Sequence, residues 1–269
     1  MRIRHILLVT LCALLTAGPA LAASKEETRV YDATDVVDQL LRIPEHAVPS
    51  ALLSRAYAVA VIPRVIKVGF GLGARFGKGV MVVRQEDNSW SNPAFVKITG
   101  GSFGFQAGAQ STDIILVFKT RSSVDGITQG KLTLGADASI AAGPVGRSAG
   151  AHTDMTFKSE VYSYSRSRGL FAGVALEGAG VTMDRKANAA FYGSAQITPE
   201  QIFASSGNAA PQAANNFVQV LTAQTQRLPM RPAAAANANV PRNVQPQDQD
   251  PSEVRTYGMN NNPENELRN

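Results

Sequence analysis

Cysteine is nearly absent from this chain of 269 residues, with Cys12 its single example, inside an apolar run near the N-terminus. Beyond that run there is no thiol, which excludes disulfides, thiolate catalysis and cysteine-ligated metals together. Histidine is almost as scarce. Of the three histidines, His5 belongs to the N-terminal run, and His46 and His152 stand far apart, so a metal site has no support in spacing. A strong charge of one sign is also lacking. The net charge is +5, or +3 (24 basic against 21 acidic) once Arg2 and Arg4 are set aside with that run. This balance permits attraction to an anionic surface without requiring it, and it argues against sequence-specific nucleic-acid binding.

Long apolar runs are missing too. In "MRIRHILLVTLCALLTAGPALAAS" the run from Ile6 to Leu15 ends at Thr16, Gly18 and Pro19, short of the roughly 18 residues of a membrane span. The basic start, the apolar run and the small residues around Ala20-Leu21-Ala22 predict a secretory signal peptide over 1–22. The chain is therefore expected to be exported, periplasmic or secreted, and peripheral to the membrane. Leu11 before Cys12 argues against a lipid-modified cysteine.

From Pro229 to Asn269 the chain has eight asparagines, six prolines and no Phe, Trp or Ile. Such a segment buries too little apolar surface to offset the entropy of ordering, so 229–269 is expected to be a disordered tail. Its P-x-x-P match, Pro229 to Pro232, reads as solvated tail. Phe217, Val220, Leu221 and Gln224 predict an amphipathic helix within 207–228. Near the other end, Asp32 or Thr34 is expected to cap a helix running to Arg42, with Val36, Val37, Leu40 and Leu41 on one face. A short helix from Pro49-Ser50 would carry Leu52, Leu53 and Ala56 inward.

Between these helices lie 19 of the 23 glycines, from Gly69 to Gly180. Short apolar runs recur among them: Ala58–Ile62, Val80–Val83, Phe95–Ile98, Ile114–Phe118, Leu132–Leu134 and Leu170–Leu176. Glu86-Asp87-Asn88, Gly100-Gly101 and Asp125-Gly126 read as turns between strands. Glycine weakens a strand unless the sheet bends or another backbone comes close. The predicted class is α+β: a strongly curved, glycine-rich antiparallel sheet or barrel, flanked by N-terminal helices and one C-terminal helix.

Two motifs suggest enzymes. "GFGLGARFGKG" fails as a phosphate loop, because Leu72 stands where the first glycine belongs and Gly79 where a Ser or Thr belongs. It fits a dinucleotide fingerprint only as Gly69, Gly71 and Ala74, and leads into the strand-like "VMVVR" with no helix to receive a phosphate. Gly100-Gly101-Ser102-Phe103-Gly104 matches G-x-S-x-G, with Asp113 or Asp137 and then His152 downstream. A serine esterase using Ser102 and His152 is thus the alternative from another class. It is disfavoured because the alternation after Ser102 is that of a strand, whereas a nucleophile elbow enters a helix. His152 and Asp154 lack a third metal ligand in sequence.

With "AVAVIP", "KVGFGLGARFGKGVMVVR", "WSNPAFVKITGGSFGFQAGAQSTDIILVF", "GKLTLGADASIAAGPVGR", "VYSYSRSRGLFAGVALEGAGV" and "NAAFYG" in unbroken order from about residue 30 to 205, the chain resembles the SYLF domain family. The resemblance implies a lipid-binding domain over 23–206 that takes anionic phospholipid, phosphoinositides in eukaryotic members, with actin-filament binding in some. It implies no catalytic residue and no cofactor. Two positions depart from the family: Ala56-Tyr57-Ala58 replaces Ala-Lys-Gly, and the N-terminal helix sets Asp35 and Asp38 against Arg42, a face that an anionic bilayer would repel. Actin enters only by family analogy, since an exported chain would not meet it. A partner protein in the envelope, engaged by the tail or C-terminal helix, is a third possibility.

On a strand, Tyr162, Tyr164, Arg166 and Arg168 of "YSYSRSRGLFAG" share one face. Two arginines there need partners or solvent, and the simplest placement puts them at an exposed bend around Gly169. The competing placement pairs them with Glu160 or Glu177. Lys67, Arg75 and Lys78 flank what reads as an earlier glycine-rich hairpin. These five, Lys67, Arg75, Lys78, Arg166 and Arg168, are the candidate lipid-binding residues, on one rim of the sheet.

Overall fold

The computed structural model describes residues 23–42, 48–144, 158–167, 170–205 and 210–225, with backbone alone at 40–42, 50–51, 70–72, 102–108, 167, 170–173 and 224. All belong to one unit bounded by Met1 and Pro232. The expected signal peptide and tail, and His46, His152, Asp154, Arg168 and Gly169, lie outside the described residues.

Helix α1 spans Lys25–Arg42, starting well before the Asp32 or Thr34 cap expected for it. The correction has a local cause. The Ser24 N–H donates to Glu27 Oε2 at 2.7 Å and the Glu27 N–H donates to Ser24 Oγ at 3.1 Å, a reciprocal cap that satisfies two orphan donors. Val30, Ala33, Val36 and Val37 are buried on its inner face. Helix α2 (Ser50–Ser54) follows Pro49 as expected, with Leu52, Leu53 and Ala56 buried.

Strands β1 (Ala58–Val83) and β2 (Ala94–Phe118) pair antiparallel from Ala58↔Phe118 to Met81↔Ala94. Four of the apolar runs expected as separate strands are therefore the ends of two long ones. The stretch "GFGLGARFGKG" is strand interior and not a hairpin, and Gly100-Gly101 lies opposite Arg75 and Ala74. Only the Glu86-Asp87-Asn88 turn joins the pair, with Asn88 in the left-handed region at φ 64°. Asp125-Gly126 is no turn either. It sits in helix α3 (Arg121–Gln129), where buried Ser123, Val124 and Ile127 form a helical stripe.

The remaining elements are β3 (Lys131–Thr133), β4 (Ile140–Ala142), β5 (Val161–Ser167), β6 (Leu170–Gly173), β7 (Gly180–Met183), α4 (Arg185–Tyr192), α5 (Pro199–Ala204) and α6 (Gln212–Thr225). The curled seven-stranded sheet runs β3-β7-β2-β5-β4, with β1 on β2 and β6 on β5. Every pairing is antiparallel except β4 with β5.

Alternate residues of the strand ends enter two cores. Val59, Val61, Val80, Phe95 and Ile115 meet α1, α2, α4 and α6, whereas Ala60, Ile62, Met81, Ile98 and Leu116 meet Ile127, Leu134, Val181 and Ile202. Burial on both faces makes these runs continuously apolar. Trp90 anchors α6 by donating from Nε1 to Thr225 Oγ1 at 3.0 Å.

Two glycines let β1 curl onto itself. A Cβ at Gly79 would lie 2.1 Å from the carbonyl oxygen of Val61, and one at Gly77 would lie 2.7 Å from Val65 Cγ2. Only glycine permits that approach. Roughly 50 Å of extended chain between Ile62 and Gly77 thus returns to its starting point.

Candidate functional site

The returning chain forms an arch. β5 pairs with β2 only from Asp113 to Phe118, and β7 only from Val96 to Thr99. Among the described residues, β2 between Gly100 and Thr112 has β1 as its sole partner. Two bulges bend this ribbon: Pro63 and Arg64 stand opposite Asp113 alone, and Phe70 stands opposite Phe105 to Ala107. Extra residues on one strand bend and twist the pair. At the first bulge Arg64 is left-handed at φ 49°, and its N–H donates to Asp113 Oδ1 at 2.9 Å.

Among the described residues, the arch leaves several apolar side chains part-exposed. Ile66, Val68 and Phe76 are 36%, 37% and 47% exposed, whereas the same strand's ends are buried. A two-stranded ribbon has no third layer to hide them. Between them on β1 stand Lys67, opposite Gln110, and Arg75, opposite Gly100. Both are half-buried, and burial lowers the Arg75 guanidinium from its ordinary value.

Lys78 marks the far foot of the arch. It is exposed and lies 3.7 Å from Asp184, which holds Lys97 more closely at 3.1 Å and caps α4 through the Ala187 N–H. Because β1 curls, Lys78 and Arg64 border one open cleft of about 620 Å³, with Lys25, Arg29 and Asp32 of α1 on its other side and Ile66 and Phe76 in its wall. Arg64 pairs with Asp32 there.

The structure thus brings Lys67, Arg75 and Lys78 onto one ribbon and sets Arg166 on another strand. Arg166 is not a solvated bend residue. It lies in β5 opposite Asp113, donates to Asp113 from Nε at 2.7 Å and also from Nη2, and reaches Gln39 of α1 through Nη1. Its side chain is 17% exposed. The carboxylate is neither Glu160 nor Glu177, because strand pairing sets Asp113 directly across. Tyr162 and Tyr164 precede it on the same buried face.

Ser102 lies inside β2 opposite Gly73, and that strand continues to Phe118. The strand-to-helix turn of a nucleophile elbow is therefore not formed at Ser102. Among the described residues there is no cluster of three potential metal ligands, and no helix is long and apolar enough to cross a membrane.

Sequence reasoning missed Lys25, Arg29 and Arg64. The first two lie ahead of the expected helix start, although the Ser24-x-x-Glu27 pattern marks that start. They bring two cations to the cleft, on a helix that stays acidic through Glu26, Glu27, Asp32, Asp35 and Asp38. Arg64 belongs to a bulge that no local alternation reveals.

Comparison with known proteins finds a family and several relatives that this chain resembles. The family described as Ysc84, Las17-binding protein actin regulator, matches residues 99–224. LAS seventeen-binding protein 3 of Saccharomyces cerevisiae is 38% identical over 152 residues, covering 55% of this chain and 33% of the yeast protein. SH3 domain-containing YSC84-like protein 1 is 35% identical over 150 residues in Homo sapiens, covering 55% and 44%, and 34% identical over 160 residues in Xenopus laevis, covering 59% and 48%. The chain spans a third to a half of the length of these relatives. Through this domain it belongs to the Ysc84 (SYLF) family.

Proposed function

We propose that this chain is a non-enzymatic, exported protein that docks on anionic phospholipid surfaces through the arch. The observation that carries this reading is that, among the described residues, β2 has β1 as its sole partner along the arch, which leaves Ile66, Val68, Phe76 and Lys78 exposed on one face of β1, with Lys67 and Arg75 half-buried on the other. Apolar side chains enter the boundary between headgroups and acyl chains, and neighbouring cations meet the phosphates. Each cation near such a surface contributes about 1 kcal/mol, so three of them with the apolar residues support reversible docking.

Export is proposed from residues 1–22, and an envelope location follows from it. The family description speaks of Las17 binding and actin regulation, and the matched stretch covers only a third to a half of the relatives' length. Neither property is carried over to this chain, whose proposed partner is the lipid surface.

Co-sedimentation with phosphatidylglycerol-containing vesicles, against pure phosphatidylcholine, tests the reading. Binding should require the anionic lipid and weaken as salt rises, because exposed charges are screened beyond a Debye length of about 10 Å at 0.1 M. Equal binding to both vesicle types, or none to either, would overturn it.

A further inference from the structure

The exposed end of the sheet beside α4 carries a row of like charges. Lys78 of β1 stands directly opposite Lys97 of β2, Lys97 opposite Thr182 of β7, and Thr182 opposite Lys131 of β3. Residues paired in this way share one face, and with strands about 4.8 Å apart the row is about 14 Å long. Lys131 is exposed, and its stem lies across β7, since a Cβ at Gly180 would come 2.2 Å from Lys131 Cε. Among the described residues, Asp184 is the one carboxylate paired with the row, 3.1 Å from Lys97 and 3.7 Å from Lys78. It also accepts the Ala187 N–H, so a single shared carboxylate answers three lysines. Like charges set opposite each other are destabilising. Phe76, 47% exposed, lies one row further along the same face, opposite Thr99.

Across the cleft stands the complement. The outer face of α1 exposes Thr28, Tyr31 and Asp35, spaced as one helical stripe, with Asp32 and Asp38 one turn to either side of Asp35. Tyr31 is 41% exposed. Asp32 is held by Arg64, whereas Asp35 has no ion-pair partner among the described residues. One side of the cleft thus presents an aromatic ring beside carboxylates, and the other an aromatic ring beside lysines. The two faces are neighbours in one chain, because Arg29 and Asp32 of α1 border the same cleft as Phe76 and Lys78. Neighbouring patches of opposite chemistry are self-complementary under a two-fold axis that passes between them. A foreign acidic protein would engage the lysines and leave Tyr31 and Asp35 bare, whereas a second copy of this chain covers both faces at once.

We propose that this chain forms a two-fold dimer in which Tyr31 and Asp35 of each copy pack on Phe76, Lys97 and Lys131 of the other. Charge complementarity, repeated by the symmetry, sets the register of the contact. This goes beyond the docking reading. Phe76 and Lys78 belong to the docking face as well, so a copy seated on lipid is a monomer and the dimer is the form free in solution.

Sedimentation equilibrium of the full chain over a concentration series tests the proposal. The parent should reach a dimer, and rising salt should weaken it, because exposed charges are screened. Asp35→Lys and Lys131→Glu should each raise the dissociation constant at least about tenfold, by setting like charges face to face. Both side chains are exposed, so the variants keep the fold. Mixing the two single variants should restore the dimer, since each half of the interface again joins opposite charges, and the double variant should dimerise by itself. A parent that stays monomeric throughout the series would overturn the proposal and leave both faces to other proteins. A dimer that neither substitution weakens, or a loss that mixing does not recover, would overturn it equally. Vesicle binding by either single variant should equal or exceed that of the parent, and a loss would overturn the exclusion of one contact by the other.

Discussion

Arg166 and Asp113 face each other across β5 and β2, joined by a 2.7 Å bond from Nε to Oδ2 and a second from Nη2 to the same oxygen. The other oxygen of Asp113 accepts the Arg64 N–H at 2.9 Å. One carboxylate therefore fixes the bulge that starts the arch and neutralises the arginine at the end of β5. Gln39 adds a contact from α1, so four elements, β1, β2, β5 and α1, meet at this pair.

Arg166→Gln should accordingly act on stability. The two side chains are 17% and 12% exposed, and removing one partner strands the other in a poorly solvated site, at a cost of about 3 kcal/mol. Urea unfolding should show a clear fall in the midpoint. Vesicle affinity of the folded variant should match the parent, and a selective loss of affinity without loss of stability would return Arg166 to the binding surface.

Gly79→Ala should destabilise the chain strongly, by about 3 kcal/mol, as forced overpacking does. The new Cβ meets backbone, the Val61 carbonyl at 2.1 Å and Ile62 Cα at 2.6 Å, which no rotamer change relieves. Gly101→Ala is the contrast. Nothing lies within 4 Å of a Cβ there, and loss of glycine's unfolded-state freedom should raise stability by about 0.5 kcal/mol. Similar unfolding midpoints for the two variants would mean that β1 does not touch itself at Gly79.

Much of this architecture was legible because it is local. Pro49 announced α2, Phe217 and Leu221 announced α6, and glycine density announced curvature. The extent of β1 was not legible, since the apolar runs report burial at the strand ends and the exposed middle resembles a loop. Partners far apart in sequence were hidden for the same reason. Asp113 and Arg166 are 53 residues apart and become neighbours only through strand register. Lys67, Arg75 and Lys78 could be grouped because they share the glycine-rich stretch, whereas the contact of Arg29 with Phe95 is made only through the fold.

Tyr164 and Tyr192 predict an alkaline transition. Burial raises both phenols above the ordinary value of 10.0, and their hydroxyls donate to the carbonyls of Pro144 at 3.2 Å and Pro93 at 2.8 Å. Both stay neutral in the folded chain at pH values where an unfolded tyrosine ionises. Their contribution is therefore complete below about pH 10 and is lost as pH rises beyond it. Urea midpoints at about pH 9 and pH 11 should show the drop, and Tyr192→Phe should flatten it at a cost of about 1 kcal/mol near neutrality. An unchanged pH dependence in that variant would show that its phenol is solvated.

Phe76→Ser separates the arch's role in binding from its role in folding. The ring is 47% exposed, so much of its apolar area gains nothing from the folded chain. Its loss should cost less than about 1 kcal/mol, below the roughly 1.5–3 kcal/mol of a fully buried side chain. A bilayer would cover the remaining area, and losing that contribution, on the order of 1.5 kcal/mol, corresponds to about tenfold weaker vesicle binding. The variant should retain its salt dependence, because Lys67, Arg75 and Lys78 are untouched, whereas Lys67→Gln should flatten that dependence and leave the unfolding midpoint in place. Co-sedimentation of both variants over a salt series reads the two contributions separately. Full affinity in Phe76→Ser, or a large loss of stability in its place, would show that the exposed ring serves the fold and that the surface contact lies off the arch.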